Sequence, residues 1–170
     1  MKYTRRTFTA TMLLVVPHVA CVCASRAQTP ALSETIDGLK RALNEQEPLL
    51  RPDGLMRLTF LSFENGVLTY KETFSRPDNN AHICHISKVV PLGKLDPETV
   101  NVTQNDRFNY WTFHYATQNS AKDIRHLSDD PRLNGYKLNS DVIDVHEKAA
   151  AMLLADLLKQ AIRVARKNYP

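Results

Sequence analysis

Hydrophobic positions recur along this chain with two periods, and each change of period marks an element. Ile36, Leu39 and Leu43 return at helical spacing between Ser33 and about Glu47. Ser33 stands where a cap belongs, Glu34 and Asp37 suit a positive first turn, and Pro48 ends the run. Gly38 weakens this first helix. From Met56 the period falls to two. Met56–Glu64 and Val67–Ser75 read as strands joined by Asn65-Gly66, the pair that type I′ hairpin turns favour. Uninterrupted pairing across that turn joins Phe63 with Leu68 and Leu61 with Tyr70 on the expected core face. Phe60 then meets Lys71, and Ser62 meets Thr69, on the other face.

His82–Val90 reads as a third strand, and Pro91–Pro97 as a turn-rich connection. Thr99–Gln104 predicts a short strand, and Arg107–Thr117 a strand rich in aromatics. Asn119-Ser120 turns the chain into Ala121–Leu127. Ser128–Ser140, punctuated by Pro131 and Gly135, reads as a polar loop, and Asp141–Val145 as a last short strand.

A long helix closes the sequence. Asp144 and Glu147 have capping-box spacing, and Arg163, Arg166 and Lys167 suit the far end. Its apolar arc, from Leu153 to Ala165, spans roughly 200°, twice what one core face needs. The helix is therefore expected to pack on two surfaces: the sheet, and either the first helix or, as a homo-oligomer, a second chain. The order predicts a single α+β domain: an N-terminal helix, a curved antiparallel sheet of about six or seven short strands, and a long C-terminal helix on the sheet. In order alone this is similar to pleckstrin-homology-like barrels, and a fold does not give a function.

The first 27 residues follow a different logic. Lys2, Arg5 and Arg6 precede an uncharged stretch from Thr7 to Ser25, and Ser25-Arg26-Ala27 offers small residues for cleavage before Gln28. This is the pattern of a cleavable export signal. Its apolar run falls short of the roughly 20 residues that span a bilayer. Thr4-Arg5-Arg6-Thr7-Phe8 resembles the twin-arginine translocation signal, although Thr9 and Ala10 stand where that pattern has Leu and often Lys. The resemblance implies a cargo that folds before export to the periplasm or beyond. Lipid attachment at Cys21 would need a Leu-like residue where His18 stands.

Removing the signal changes the composition. The chain has 22 Lys and Arg against 18 Asp and Glu. Four of those basic residues, and none of the acids, lie in residues 1–27, so residues 28–170 are balanced. No basic field for nucleic acid remains. Cys21 and Cys23 leave with the signal, which leaves Cys84 without an intramolecular disulfide partner.

Candidate chemistry is sparse. His82, Cys84 and His85 offer metal-ligand types. Strand alternation puts His82 and Cys84 on one face and His85 on the other, with His114 or His126 available from a neighbouring strand. The candidate metal set is therefore His82, Cys84 and His114. Cys84 as a nucleophile lacks the local signatures of thiol enzymes. Tyr110, Thr112 and His114 share one face of the aromatic strand and Trp111, Phe113 and Tyr115 the other. Tyr110, Thr112, His114 and Tyr115 are the candidate binding residues if a face stays open; a strand covered on both sides is the alternative. Asp129-Asp130-Pro131-Arg132, Asp141 and Asp144 fit no EF-hand spacing. Phosphate-binding glycine loops, nucleophile elbows and His-Glu-x-x-His helices do not occur. No catalytic residues and no cofactor are assigned. The expectation is a non-enzymatic module that binds a protein or ligand in the cell envelope, such as an inhibitor or immunity-type protein. A small metal-dependent or thiol enzyme is the alternative.

Overall fold

A computed structural model describes residues 31–169. The export-signal reading, with Cys21 and Cys23, falls outside them. The described chain is α+β. α1 (Leu32–Asn44) leads to β1 (Leu49–Arg51), β2 (Gly54–Glu64), β3 (Val67–Ser75) and β4 (His82–Pro91). A 3-10 turn (Leu92–Lys94) precedes β5 (Leu95–Asn105) and β6 (Tyr110–Thr117). Then come β7 (Ile124–Ser128), β8 (Lys137–Leu138), β9 (Ser140–Val145) and α2 (Lys148–Asn168). The strands form two antiparallel sheets, β1-β2-β3-β4-β7-β8 and β5-β6-β9. No helix among the described residues is long and apolar enough to cross a membrane.

The β2–β3 hairpin turns at Asn65 and Gly66, both with positive φ, as a type I′ loop requires. Pairing starts as the alternation predicts, with Phe63 opposite Leu68 and Ser62 opposite Thr69. It then slips by one residue: Phe60, not Leu61, faces Tyr70, and Thr59 faces Lys71. Leu61 is the extra residue of a β-bulge, and its side chain stays exposed. The slip puts Met56, Leu58 and Phe60 opposite Phe74, Glu72 and Tyr70, the inward face of β3. Asn44, the last residue of α1, accepts the Phe60 N–H at 2.8 Å through its side-chain oxygen. The Phe60 donor beside the bulge is therefore satisfied.

α1 starts one residue earlier than Ser33 and ends before Glu45, and its N-cap, Ala31, has no side-chain cap bond. Thr35 Oγ1 instead donates back to the Ala31 carbonyl. Ile36, Leu39 and Leu43 are buried as their spacing predicts. α2 lacks the expected capping box. Its N-cap is Glu147, without a side-chain cap bond. Asp144 lies inside β9, where its carboxylate accepts from Thr112 Oγ1 at 2.6 Å and Arg51 Nη1 at 2.8 Å. Much of the wide apolar arc of α2 is covered from within the chain, because the helix packs on α1, on β5 and β6, and on the 3-10 turn, while Leu153 stays exposed. Ala151, Leu154, Leu158, Ala161, Ile162 and Ala165 are buried along it. At its end, Tyr169 lies across the hairpin turn, where a Cβ on Gly66 would sit 2.7 Å from the ring.

Helices and both sheets supply the apolar core, and a cluster of polar groups is buried within it. Lys88 of β4 is buried with its ammonium 2.7 Å from Glu72 Oε1 of β3 and 3.0 Å from Asp141 Oδ1 of β9. It also donates to the Val142 carbonyl at 3.0 Å. Asp141 Oδ2 lies 2.8 Å from His126 Nε2 of β7 and accepts from the Tyr115 hydroxyl at 3.4 Å. That hydroxyl is 2.8 Å from the hydroxyl of Tyr70. Burial disfavours the Lys88 cation, but Glu72 and Asp141 outweigh it and raise its pKa. Burial likewise raises the Asp141 carboxyl; the His126 bond, the Lys88 charge and the Val142 amide together bring it below its ordinary value. For Glu72 burial wins over the attraction of Lys88, and its pKa is raised.

Lys88→Met should cost about 3–5 kcal/mol in urea unfolding, because Glu72 and Asp141 would stay buried without their cation. Adding Glu72→Leu should recover part of that loss, a coupling a double-mutant cycle reads directly. The pH dependence follows from the directions. The Asp141 contribution is present above its ordinary value of 3.8 and is lost as pH falls through its lower folded value. The Lys88 contribution is full below 10.5 and is lost as pH rises through its higher folded value. Glu72 acts against the plateau, its contribution falling as pH rises from 4.5 through its higher folded value. Asp141→Asn should therefore flatten the acid limb of stability measured against pH.

Candidate functional site

The interior groups that carry chemistry are closed in. Tyr70, Tyr115, Glu72, Lys88 and Asp141 are all buried and bonded to one another, with the ring of His126 at their margin. The apolar gap lined by Tyr70, Tyr115, Leu39 and Leu154 holds only about 10 Å³, roughly one water probe. Among the described residues, open coordinating chemistry lies elsewhere, at the start of β4 and the end of β7.

A second bulge creates it. Phe74 pairs with Cys84, but Ser75 pairs with His82, so Ile83 is the extra residue on β4. Regular alternation would put His82 with Cys84 and His85 opposite. The bulge reverses this: Cys84 turns inward and is buried, while His82 and His85 come out together with ring centroids 6.0 Å apart. β7 pairs with β4 from Ile86 onward, Ser128 lying opposite Ile86, which delivers the next residue, Asp129, to the two rings. His82 Nε2 is 2.6 Å and His85 Nδ1 3.0 Å from Asp129 Oδ2.

The loop that carries Asp129 is pinned. Ser128 Oγ donates to the His85 carbonyl at 2.6 Å and accepts the Asp130 N–H at 3.1 Å. The second Asp129 oxygen, Oδ1, accepts the His85 backbone N–H at 2.7 Å. That backbone bond and the bond to His82 hold the Asp129 carboxyl down to about 2, so it stays ionised at ordinary pH. Asp130 is occupied by Arg132, whose guanidinium lies 2.7 Å from its Oδ2. Two imidazole nitrogens and one carboxylate oxygen, all within 4.8 Å of one another, make a donor set suited to a cation.

The other candidate residues lie apart. Cys84 is not among these donors; burial first, and then Asp129, Asp130 and Asp53, raise its thiol, the reverse of what a nucleophile needs. His114 sits on β6 in the other sheet, with Nε2 2.9 Å from Thr103 Oγ1. The aromatic strand is covered on both sides: Tyr110, Thr112, Phe113 and Tyr115 are buried, and Trp111 lies under Lys148, whose ammonium is 5.1 Å from the ring centroid. Of the proposed binding residues Tyr110, Thr112, His114 and Tyr115, only His114 is partly open. The reason is that β6 is the central strand of its sheet, between β5 and β9, with α2 packed against it. Asp141 and Asp144 are buried, each facing a basic partner.

No protein-family model, curated protein or solved structure matches this chain.

Cys84 should react slowly with a thiol reagent in the folded protein and at an ordinary rate once unfolded in guanidinium. A time course of labelling in the two states measures the ratio. Fast labelling of the folded form would overturn the inward placement of the side chain.

Proposed function

We propose that this chain is an exported, non-enzymatic binding module, and that the rim formed by the start of β4 and the end of β7 is its contact point. One observation carries the reading: the interior titratable groups are sealed by one another, whereas His82, His85 and Asp129 stand together in the open. Their side chains keep 52%, 39% and 36% of their accessible surface. A buried network whose adjoining gap holds only about 10 Å³ favours stability over turnover. Open donors on a strand end, held by a pinned loop, favour capture of a ligand. The thiol-enzyme alternative loses support from the raised and buried Cys84.

The binding reading is tested by melting the protein in the presence of divalent cations, inorganic phosphate, small dicarboxylates and soluble envelope proteins, each in turn. At least one class should raise the melting temperature, and His82→Ala or Asp129→Ala should remove that response. A response untouched by either substitution would sink the rim as the contact point. No response to any class would sink the binding reading.

Export is the second part of the proposal, supported by the tripartite segment of residues 1–27 and by Arg5-Arg6. The extracytoplasmic form should begin at Gln28 by N-terminal sequencing. Replacing Arg5 and Arg6 by Lys should leave the precursor inside the cell. Export undiminished by that change would remove the twin-arginine route.

A further inference from the structure

We infer that His82 Nε2, His85 Nδ1 and Asp129 Oδ2 bind one divalent late first-row transition-metal ion of the zinc, nickel or copper type. This rests on the reading of the rim as a contact point and says what it contacts. The donor chemistry selects the class. Two imidazoles and one carboxylate suit zinc and its neighbours, whereas calcium and magnesium seek shells made of oxygen. The spacing fits as well. Donors at 2.0–2.2 Å from a tetrahedral or octahedral centre stand about 2.8–3.6 Å apart. The carboxylate-to-imidazole separations are 2.6 and 3.0 Å and all three donors lie within 4.8 Å of one another, so rotations that move these open side chains by about an ångström bring them onto one ion.

The support around the donors is of the kind that orients metal ligands. Asp129 has one oxygen fixed by the His85 amide, which leaves the other directed at both rings. The His85 carbonyl is fixed in turn by Ser128 Oγ. Arg132 is engaged by both oxygens of Asp130. Three protein donors leave positions for water or for an atom of a partner, so the ion is held at the surface and remains exchangeable. Because the donors come from β4 and from the residue after β7, a bound ion ties the two strand ends together.

Calorimetry with zinc on the purified, chelator-treated protein should give one ion per chain. His82→Ala, His85→Ala and Asp129→Ala should each weaken binding by about tenfold or more, since even outer-shell losses reach that size. Cys84→Ser and His114→Ala should leave it unchanged. The cobalt(II) complex should show no thiolate-to-metal charge-transfer band. Circular dichroism checks the fold of each variant, and His82→Ala, exposed and remote from the core, decides the matter if Asp129→Ala unfolds. Absence of binding for zinc, nickel and copper alike would overturn the inference. So would full affinity in His82→Ala, or a thiolate band that Cys84→Ser abolishes. If metals fail while a non-metal ligand gives a melting response that His82→Ala removes, the inference falls and the binding reading stands. If both fail, both fall.

Discussion

Lys88 is the constraint around which the two sheets are arranged. A buried ammonium is tolerated only with its charge matched, and no single strand can match it. Glu72 reaches it from the adjacent strand of its own sheet and Asp141 from the opposite one. The ion contacts therefore fix how β4 faces β9, and the Tyr70–Tyr115 hydroxyl pair repeats the link between sheets a short way off. Arg51 and Asp144 make a further bridge of the same kind. Apolar packing alone would leave the two sheets freer to slide, because greasy faces accept many registers. Charges that must find particular partners accept few.

Much of the architecture was readable because most strands alternate and the helices repeat. Ile36, Leu39 and Leu43, the Asn65-Gly66 turn, and the double-sided arc of the last helix all led to the observed arrangement. What escaped was of two kinds. The bulges at Leu61 and Ile83 each insert one residue without any local mark in the residue types, and each inverts the face assignment on one side of itself. The buried charges escaped because a strand with Glu72 or Lys88 pointing inward reads as half-solvated. Only a second strand, distant in sequence, reveals that the charge is matched. Asp144 was misread for the same reason, a local capping pattern competing with a long-range bridge to Arg51.

The candidate site was half legible. His82 and His85 drew notice as ligand types, but with strict alternation they belonged to opposite faces, and Cys84 took the place that the bulge gives to His85. Asp129 was noticed only as one of a run of loop acids, with nothing to link it to the histidines. It lies 47 residues from His82 and reaches the cluster only through the pairing of β7 with β4. The aromatic strand erred in the opposite direction. Its residue types suggested a recognition surface, and its position at the centre of a sheet under α2 buried them instead.

The placement of α2 also bears on the order in which the molecule can be made. This helix fills the space against α1, β5 and β6, and Tyr169, just after it, settles over the turn of the β2–β3 hairpin. The hairpin leaves the ribosome long before its cover does. Until α2 emerges, Leu39, Leu43 and the sheet faces it covers have no lid. Completion of the core therefore waits on an element made after every strand, and a factor that guards the nascent chain must hold it until that helix has emerged.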